Sequence, residues 1–243
     1  METWNIIVFL ILPHLAAAGL VVGLAYRIRV WLRTPVPLKI PLTPTPETRL
    51  GAARRLARQA LGLPNLRRRS PLLWLATMSF HLALLLVLLR HLRYFLDPVP
   101  EWVLFLQKPG VAAGYVLPAA LLLLLSRRLV SRPLLHVSRP ADYFILALLL
   151  GVSLSGLALR LLFRTDLLEV KAWSLGLVSF SPFLPGEPGL FTLHLSVVLV
   201  LAAYFPFSKL THGLGLFFSP ALSQPDDALW TRHVNPWDGE EEE

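Results

Sequence analysis

Five long apolar segments limit what this chain can fold into. They cover residues 5–26, 72–96, 110–125, 142–163 and 189–210, and Val103 is an alternative start for the third. A helix needs about 20 mostly apolar residues to cross the hydrocarbon core of a bilayer. Hydrophobic residues make up 55% of the 243 residues and charged residues only 16%. The sequence therefore predicts an all-α polytopic membrane protein with five transmembrane helices, forming one domain over residues 1–243.

The basic residues are concentrated in alternate loops between these segments. Residues 27–70 contain 11 Lys and Arg and a single acid, Glu47, and residues 127–141 contain four basic residues and no acid. The two other loops contain two basic residues each. Because basic loops stay in the cytoplasm, the N-terminus is predicted outside and the C-terminus inside. The net charge of +8 then reflects orientation in the cytoplasmic (inner) membrane, and no nucleic-acid partner is expected.

Two of the predicted cytoplasmic segments are long, a basic loop at residues 27–71 and a tail at residues 213–243. In the loop, five prolines between positions 35 and 46 predict an extended start, and Thr45 followed by Pro46 predicts the beginning of a short amphipathic helix. Its apolar face contains Leu50, Ala53, Ala57 and Leu61, and its basic face contains Arg54, Arg55 and Arg58. This helix is interpreted either as lying on anionic lipid or as a docking surface for a cytoplasmic partner.

The chain contains no cysteine, so it cannot itself hold a thiolate-bound iron–sulfur cluster or a covalently attached haem. Any cofactor must be held by histidine, carboxylate or noncovalent packing. The apolar N-terminus, residues 1–26, lacks a basic leading region and a cleavage site, which favours a retained helix over a signal peptide.

Four histidines lie in or at the end of two predicted spans: His81 and His91 in the second, His194 and His212 in the fifth. At about 1.5 Å per residue, the antiparallel directions of these helices place His91 and His194 at a similar depth near the outer face. His81 then lies about 15 Å deeper than His91, and His212 about 27 Å deeper than His194. Two imidazoles at one depth on facing helices are what a bis-histidine haem needs.

The inner pair, His81 with His212, fits less well, because the two spacings differ by about 12 Å on straight helices. Helix tilt and a bend at Pro206 are available to absorb the difference. Geometry alone therefore leaves three hypotheses open: two haems, one haem, or polar residues that hydrogen-bond between helices without a cofactor.

Several motifs around these histidines resemble a known family. They are the segment FPFSKLTH at 205–212, His194 located 18 residues before its last histidine, and the pairs Phe80-His81 and Arg90-His91, spaced by 10. The chain resembles the nitrate reductase gamma-subunit family of five-helix dihaem cytochromes b over nearly its whole length. The resemblance implies two haem b groups, with His91 and His194 as axial ligands of the outer haem iron and His81 and His212 of the inner.

Further stretches resemble the sulfur-linked branch of that family, the cytochrome b subunits of Dsr-type complexes associated with dissimilatory sulfite reduction. They are PVPLKIP at 35–41, PADYF at 140–144, and TD at 165–166 running through VK at 170–171 to GLVSF at 176–180. This implies a membrane subunit that oxidises menaquinol near the outer face and passes electrons to a cytoplasmic iron–sulfur subunit related to heterodisulfide reductase, within a larger redox complex. The alternatives are the gamma subunit of a respiratory nitrate reductase and, from another class, a haem-free membrane anchor.

Basic residues near the outer histidines have two interpretations. Arg90 and Arg93 flank His91 and are candidate partners of haem propionates, or else extend toward the membrane interface. Lys108 and Lys171 are weak candidates for a quinone site, since each is also explained as a solvated loop charge. Arg160 and Arg164 have the same two interpretations as Arg90 and Arg93, with extension toward the interface favoured. Trp102 and Trp173 are interpreted as interfacial anchors. No catalytic residue is assigned, because the expected role is that of an electron-transfer subunit.

Overall fold

The computed structural model describes residues 2–34, 48–162, 165–181, 183–185 and 189–218. This part of the chain is helical and contains no β-strand. Its α-helices, in chain order, are α1 (Glu2–Ile6), α2 (Leu12–Arg33), α3 (Arg49–Gly62), α4 (Pro64–Arg69), α5 (Pro71–His91), α6 (Glu101–Phe105), α7 (Gln107–Val130), α8 (Arg132–Val137), α9 (Pro140–Leu161), α10 (Leu167–Val178), α11 (Gly189–Tyr204) and α12 (His212–Gly215). A π-helical turn, Ile7–Ile11, joins α1 to α2, and 3₁₀ turns occupy Leu92–Tyr94, Phe205–Phe207, Lys209–Thr211 and Leu216–Phe218.

Five continuous helical stretches are long and apolar enough to cross a membrane: Thr3–Arg33, Pro71–Tyr94, Gln107–Val130, Pro140–Leu161 and Gly189–Phe207. They confirm the prediction of five membrane-spanning helices in an all-helical protein. The third begins at Gln107, between the two starts that the sequence allows. The predicted end of the fourth span, Phe163, lies outside the described residues. The chain is a multi-pass membrane protein, and its orientation stays a prediction.

The outer surface of these helices is strongly apolar. In α5, for example, Leu72, Leu75, Leu82, Leu85 and Leu88 are each more than half exposed. Burial of such side chains away from water normally drives folding, so their exposure on a soluble protein would be unfavourable. In a bilayer they contact lipid tails instead.

The chain divides into two compact units, one of residues 1–20 and 72–208 and the other of residues 21–71 and 209–243. In the first unit, α9 packs against both α7 and α11. The short helix α10 packs against the 3₁₀ turn Leu92–Tyr94 that follows α5. The single domain expected for residues 1–243 stays a prediction.

An aromatic cluster forms part of the core of the first unit. Phe9 stacks on Phe191, with ring centroids 6.0 Å apart, and Trp173 meets both rings edge-on. The Trp173 indole Nε1–H donates a 2.8 Å hydrogen bond to the Phe9 carbonyl. That carbonyl belongs to the π-helical turn, where the wider i→i+5 bonding loosens the regular backbone ladder. The cluster therefore joins α10 to the N-terminal segment and to α11.

Trp173 corrects one expectation from the sequence. It is only 6% exposed and lies in the core, so its interpretation as an interfacial anchor is wrong, whereas Trp102 is 51% exposed. The error arose because α10 lies in a segment taken for a loop. Once that segment is helical, Val170, Trp173 and Ser174 share a buried face.

The second unit contains α3, which begins after Thr48. The Thr48 hydroxyl accepts a 3.1 Å hydrogen bond from the Gly51 N–H, as an N-cap residue does. The predicted start at Thr45 and Pro46 and the extended proline segment lie outside the described residues, as does the tail from residue 219 onward. α3 packs against the 3₁₀ turn Leu216–Phe218, and Ala52 is fully buried. The predicted apolar face points the other way, with Leu50 and Leu61 mostly exposed.

Replacing Trp173 by Phe tests the hydrogen bond that anchors α10. The variant keeps an aromatic ring but leaves the buried Phe9 carbonyl without its donor, which is expected to cost about 1–3 kcal/mol of stability. The measurement is thermal unfolding of the detergent-solubilised protein. Trp102→Phe is the matched control and should change the unfolding temperature little. Equal effects of the two variants would contradict the anchoring role.

Candidate haem site

Two of the four predicted ligands, His91 and His194, lie close together in the first unit. His91 is the last residue of α5 and His194 lies in the second turn of α11. The His91 ring meets the Tyr94 ring with centroids 5.9 Å apart, and Tyr94 packs against the cluster that contains Phe191 and Leu195, which lie on either side of His194 in α11. Both side chains are partly buried.

The hydrogen bond made by His91 fixes its tautomer. Its Nδ1 lies 2.7 Å from the Val87 carbonyl one turn earlier, and a carbonyl only accepts, so Nδ1 carries the proton. The other ring nitrogen, Nε2, makes no hydrogen bond within the described part of the chain and keeps its lone pair. A neutral imidazole with a free Nε2 is the form that binds iron.

His194 reaches the same state through a different partner. Its Nδ1 lies 2.8 Å from Oγ of Ser155 on α9. The Ser155 hydroxyl lies 2.7 Å from the Gly151 carbonyl and 3.2 Å from the Val152 carbonyl. Its only proton is directed at these two acceptors, so the hydroxyl accepts from His194. Nε2 of His194 is again left without a hydrogen-bond partner among the described residues. The two rings therefore present the donor set that bis-histidine haem ligation requires.

Arg90 supplies a second observation that fits a haem. Its side chain lies against Gly110 at the start of α7, where an added Cβ would come within 2.6 Å of the Arg90 Cδ. Its Nε is buried and has no hydrogen-bond partner. An unsatisfied buried guanidinium nitrogen is costly, and a carboxylate is the partner that suits it best.

Arg93 and Arg160 both lie close enough to Arg90 to repel its positive charge. In the described part of the chain, none of the three forms an ion pair with an acid. Like charges placed together need anions to neutralise them. Two haem propionates beside His91 and His194 would supply two negative charges. The arrangement therefore favours the propionate-partner interpretation of Arg160 on α9, beside the predicted partners Arg90 and Arg93. Arg164 lies outside the described residues.

The other two predicted ligands, His81 and His212, belong to different units. His81 donates through Nδ1 to the Thr77 carbonyl at 2.8 Å, and His212 donates to the Lys209 carbonyl at 2.9 Å. Both therefore hold the same tautomer as His91. The bond alone does not identify a ligand, since His14 and His136 make it as well. The pairing of His81 with His212 stays a prediction.

The two quinone candidates, Lys108 and Lys171, lie on different helices, α7 and α10. The Lys171 ammonium on α10 forms a 2.8 Å ion pair with Asp97, which follows α5. Lys108 is exposed in the first turn of α7. The ion pair gives Lys171 a structural role between α10 and the connection after α5, and its assignment to a quinone site stays a prediction.

Sequence analysis missed Ser155 and Gly156, which contact the His194 ring. A signal was present, since the polar and small residues Ser153, Ser155 and Gly156 interrupt an otherwise apolar helix. Small residues of this kind mark close helix packing in membranes. The sequence did not show which side chain packs against these residues, because Ser155 and His194 are 39 positions apart.

Comparison with known proteins gives one matching family model and three informative relatives. The model of the nitrate reductase gamma subunit family matches residues 65–222, a range that contains all four histidines. The "Hdr-like menaquinol oxidoreductase cytochrome b-like subunit" of Archaeoglobus fulgidus is 35% identical over 96% of this chain and 84% of its own length, and that of Archaeoglobus profundus is 32% identical over 95% and 82%. The respiratory nitrate reductase 1 gamma chain of Escherichia coli is 28% identical over 57% of this chain and 69% of its own length.

The Lys171–Asp97 pair can be tested by substituting each partner. Lys171→Gln and Asp97→Asn should each lower the free energy of unfolding by less than about 1 kcal/mol, because the pair is partly exposed. The double variant should lose no more than either single variant, since all three remove one interaction. Denaturation midpoints in detergent provide the measurement. Additive losses would show that the residues act separately, and a quinol-oxidation defect in Lys171→Gln alone would support a direct role at the quinone.

Proposed function

This chain belongs to the nitrate reductase gamma subunit family, and we propose that it is a dihaem b membrane subunit that oxidises menaquinol near the outer face. It delivers the electrons to a cytoplasmic iron–sulfur partner. The observation that carries this proposal is that His91 and His194 lie beside the same aromatic cluster, each with Nδ1 engaged as a donor and Nε2 available to iron.

Menaquinol is proposed as the electron donor because the two Archaeoglobus relatives, which align over most of their length, are named menaquinol oxidoreductase subunits. Their description as Hdr-like supports a partner related to heterodisulfide reductase. The Dsr-type sulfur-metabolism complex is proposed from the sequence stretches at 35–41, 140–144 and 165–180 alone. Because this chain has no cysteine, thiolate-bound iron–sulfur clusters have to reside on that partner. A respiratory nitrate reductase role is the second candidate within the family, and the Escherichia coli protein that supports it matches a smaller part of the chain.

The proposed reaction passes electrons from menaquinol, a two-electron donor, to haems, which carry one electron each. Oxidation of one menaquinol to menaquinone releases two electrons and two protons. Each haem, when bound, accepts and passes on one electron at a time. His91 and His194 would hold the outer group, and the Arg90, Arg93 and Arg160 charges would neutralise its propionates. Proton release near the outer face, with the electrons moving inward, would contribute to the membrane potential.

The orientation on which this proposal depends comes from the basic loops. The loop between α7 and α9 has a defined structure, because Arg128 pairs with the buried Asp142 at 3.3 Å and donates to Ser138 at 3.1 Å. Asp142 also accepts a hydrogen bond from the Arg139 N–H at the start of α9. This network orders the segment proposed to face the cytoplasm, on the side where the partner would dock.

His91→Ala tests the outer haem. The variant should lose the outer haem, retain the inner one and show strongly slowed reduction by a menaquinol analogue, because the remaining imidazole gives the iron one axial ligand instead of two. Haem content follows from a reduced-minus-oxidised absorption spectrum of the purified protein and a pyridine haemochrome assay.

His14→Ala is the matched control, since His14 lies in the first span and makes the same i−4 hydrogen bond. Its haem content should equal that of the wild type. Unchanged haem content and turnover in His91→Ala would end the assignment. Absence of any b-type spectrum from the wild-type protein would favour the haem-free anchor.

The basic face of α3 is proposed to contribute to partner docking. Arg54 and Arg58 are exposed, so Arg54→Glu with Arg58→Glu should reduce co-purification of the iron–sulfur subunit at least several-fold and leave haem content unchanged. Arg68→Glu with Arg69→Glu on α4 makes the same charge change and serves as the control. Equal loss of the partner in both double variants would assign the effect to total charge rather than to α3.

A further inference from the structure

We propose that Ser155 and Gly156 on α9 form a socket for the imidazole of His194 and thereby set the redox potential of the outer haem. The inference rests on the function proposed above. Ser155 is a positioning residue, since it acts on the haem only through His194. The socket lies on a helix that carries none of the four proposed ligands.

The hydroxyl of Ser155 links the His194 ring to the backbone of α9. It donates to the Gly151 carbonyl at 2.7 Å and accepts from His194 Nδ1 at 2.8 Å. Consecutive hydrogen bonds of this kind polarise one another, so the hydroxyl becomes a better acceptor than an isolated serine. Ser155 is 8% exposed, which protects the chain of bonds from competing solvent.

This arrangement distinguishes His194 from the other three proposed ligands. His81, His91 and His212 donate Nδ1–H to carbonyls three or four residues earlier in the chain, so local backbone sets each ring. The ring of His194 is instead held by the neighbouring helix. Its orientation relative to His91 therefore depends on how α9 packs against α11.

Gly156 completes the socket by letting the ring approach the helix backbone. A Cβ at this position would lie 3.2 Å from Cε1 of His194, 3.7 Å from Nδ1 and 3.9 Å from Nε2. The ring thus lies along the surface that the missing side chain leaves open, and it is confined by Gly156 on one side and by the Ser155 bond at its edge. Gly151, one turn earlier, meets only a Val197 methyl at 3.4 Å.

The socket has a defined electronic consequence. A hydrogen bond from Nδ1–H increases the basicity of the imidazole and strengthens its donation to iron. Stronger donation stabilises the ferric form more than the ferrous form and lowers the reduction potential. Removing the Ser155 hydroxyl should therefore make the outer haem easier to reduce.

The test is a potentiometric titration of the purified holoprotein carrying Ser155→Ala, with the outer haem identified as the component missing from His91→Ala. The expected result is a positive shift corresponding to about a tenfold change in the reduction equilibrium, ~59 mV for a one-electron couple. The low-spin ferric EPR signal, which reports the angle between the two imidazole planes, should change as well. Ser155→Thr retains a hydroxyl and should preserve both properties.

Ser153→Ala is the matched control. Ser153 lies on the same helix and is also 8% exposed. Its hydroxyl donates to the Leu150 carbonyl and not to a histidine. Its potential and EPR signal should match the wild type. Equal shifts in Ser153→Ala and Ser155→Ala, or a shift in Ser155→Thr as large as in Ser155→Ala, would overturn the proposal.

Gly156→Ala provides an independent arm. It should displace the His194 ring and alter the EPR signal or lower outer-haem occupancy, while Gly151→Ala should not. Wild-type behaviour of Gly156→Ala would overturn the steric part of the socket. A wild-type protein without haem would refute the proposed function itself, whereas haem with unchanged properties in all variants would refute only this inference.

Discussion

Hydrocarbon offers no hydrogen bonds, so every polar group within a bilayer must find its partner in the protein. The buried hydroxyls of Ser153 and Ser174 meet this requirement by donating to carbonyls of their own helices. Histidine meets it only in part, because neutral imidazole has one donor and one acceptor. When Nδ1–H is given to a carbonyl or a hydroxyl, the remaining lone pair on Nε2 is directed elsewhere. The same constraint that builds the helices therefore selects the tautomer suited to iron.

Arginine in this protein occurs in two electrostatic situations. Arg128 has its counterion within the chain, in the buried carboxylate of Asp142. Arg90 lies near two further guanidiniums and has no acidic partner among the described residues, although its Nε is buried. A buried guanidinium nitrogen without an acid, next in sequence to His91, is suited to an anionic cofactor. This asymmetry within one residue type supports a haem better than the histidine spacing does.

Much of the fold was predictable because membrane-spanning helices can be recognised from their length and hydropathy. The five spans and the depth match of His91 with His194 required only helix geometry. The helix α10 was not predicted, because its 12 residues include Glu169 and Lys171 and resemble a charged loop. The role of Trp173 was missed for the same reason. The contact of Ser155 and Gly156 with His194 was not predicted. It joins α9 to α11, and no pattern in either segment identifies the residue that lies opposite.

The π-helical turn at Ile7–Ile11 has a consequence for how the N-terminal helix tolerates change. Each residue advances an α-helix by about 100°, so one extra residue in a wide turn resets the angular phase of everything before it. Deleting a single residue there would restore a regular helix but rotate the preceding segment relative to Trp173 and Phe191. The π-helical turn thus sets the rotation of the first residues of this helix relative to Trp173 and Phe191. An insertion or deletion before the turn therefore changes different contacts from one after it.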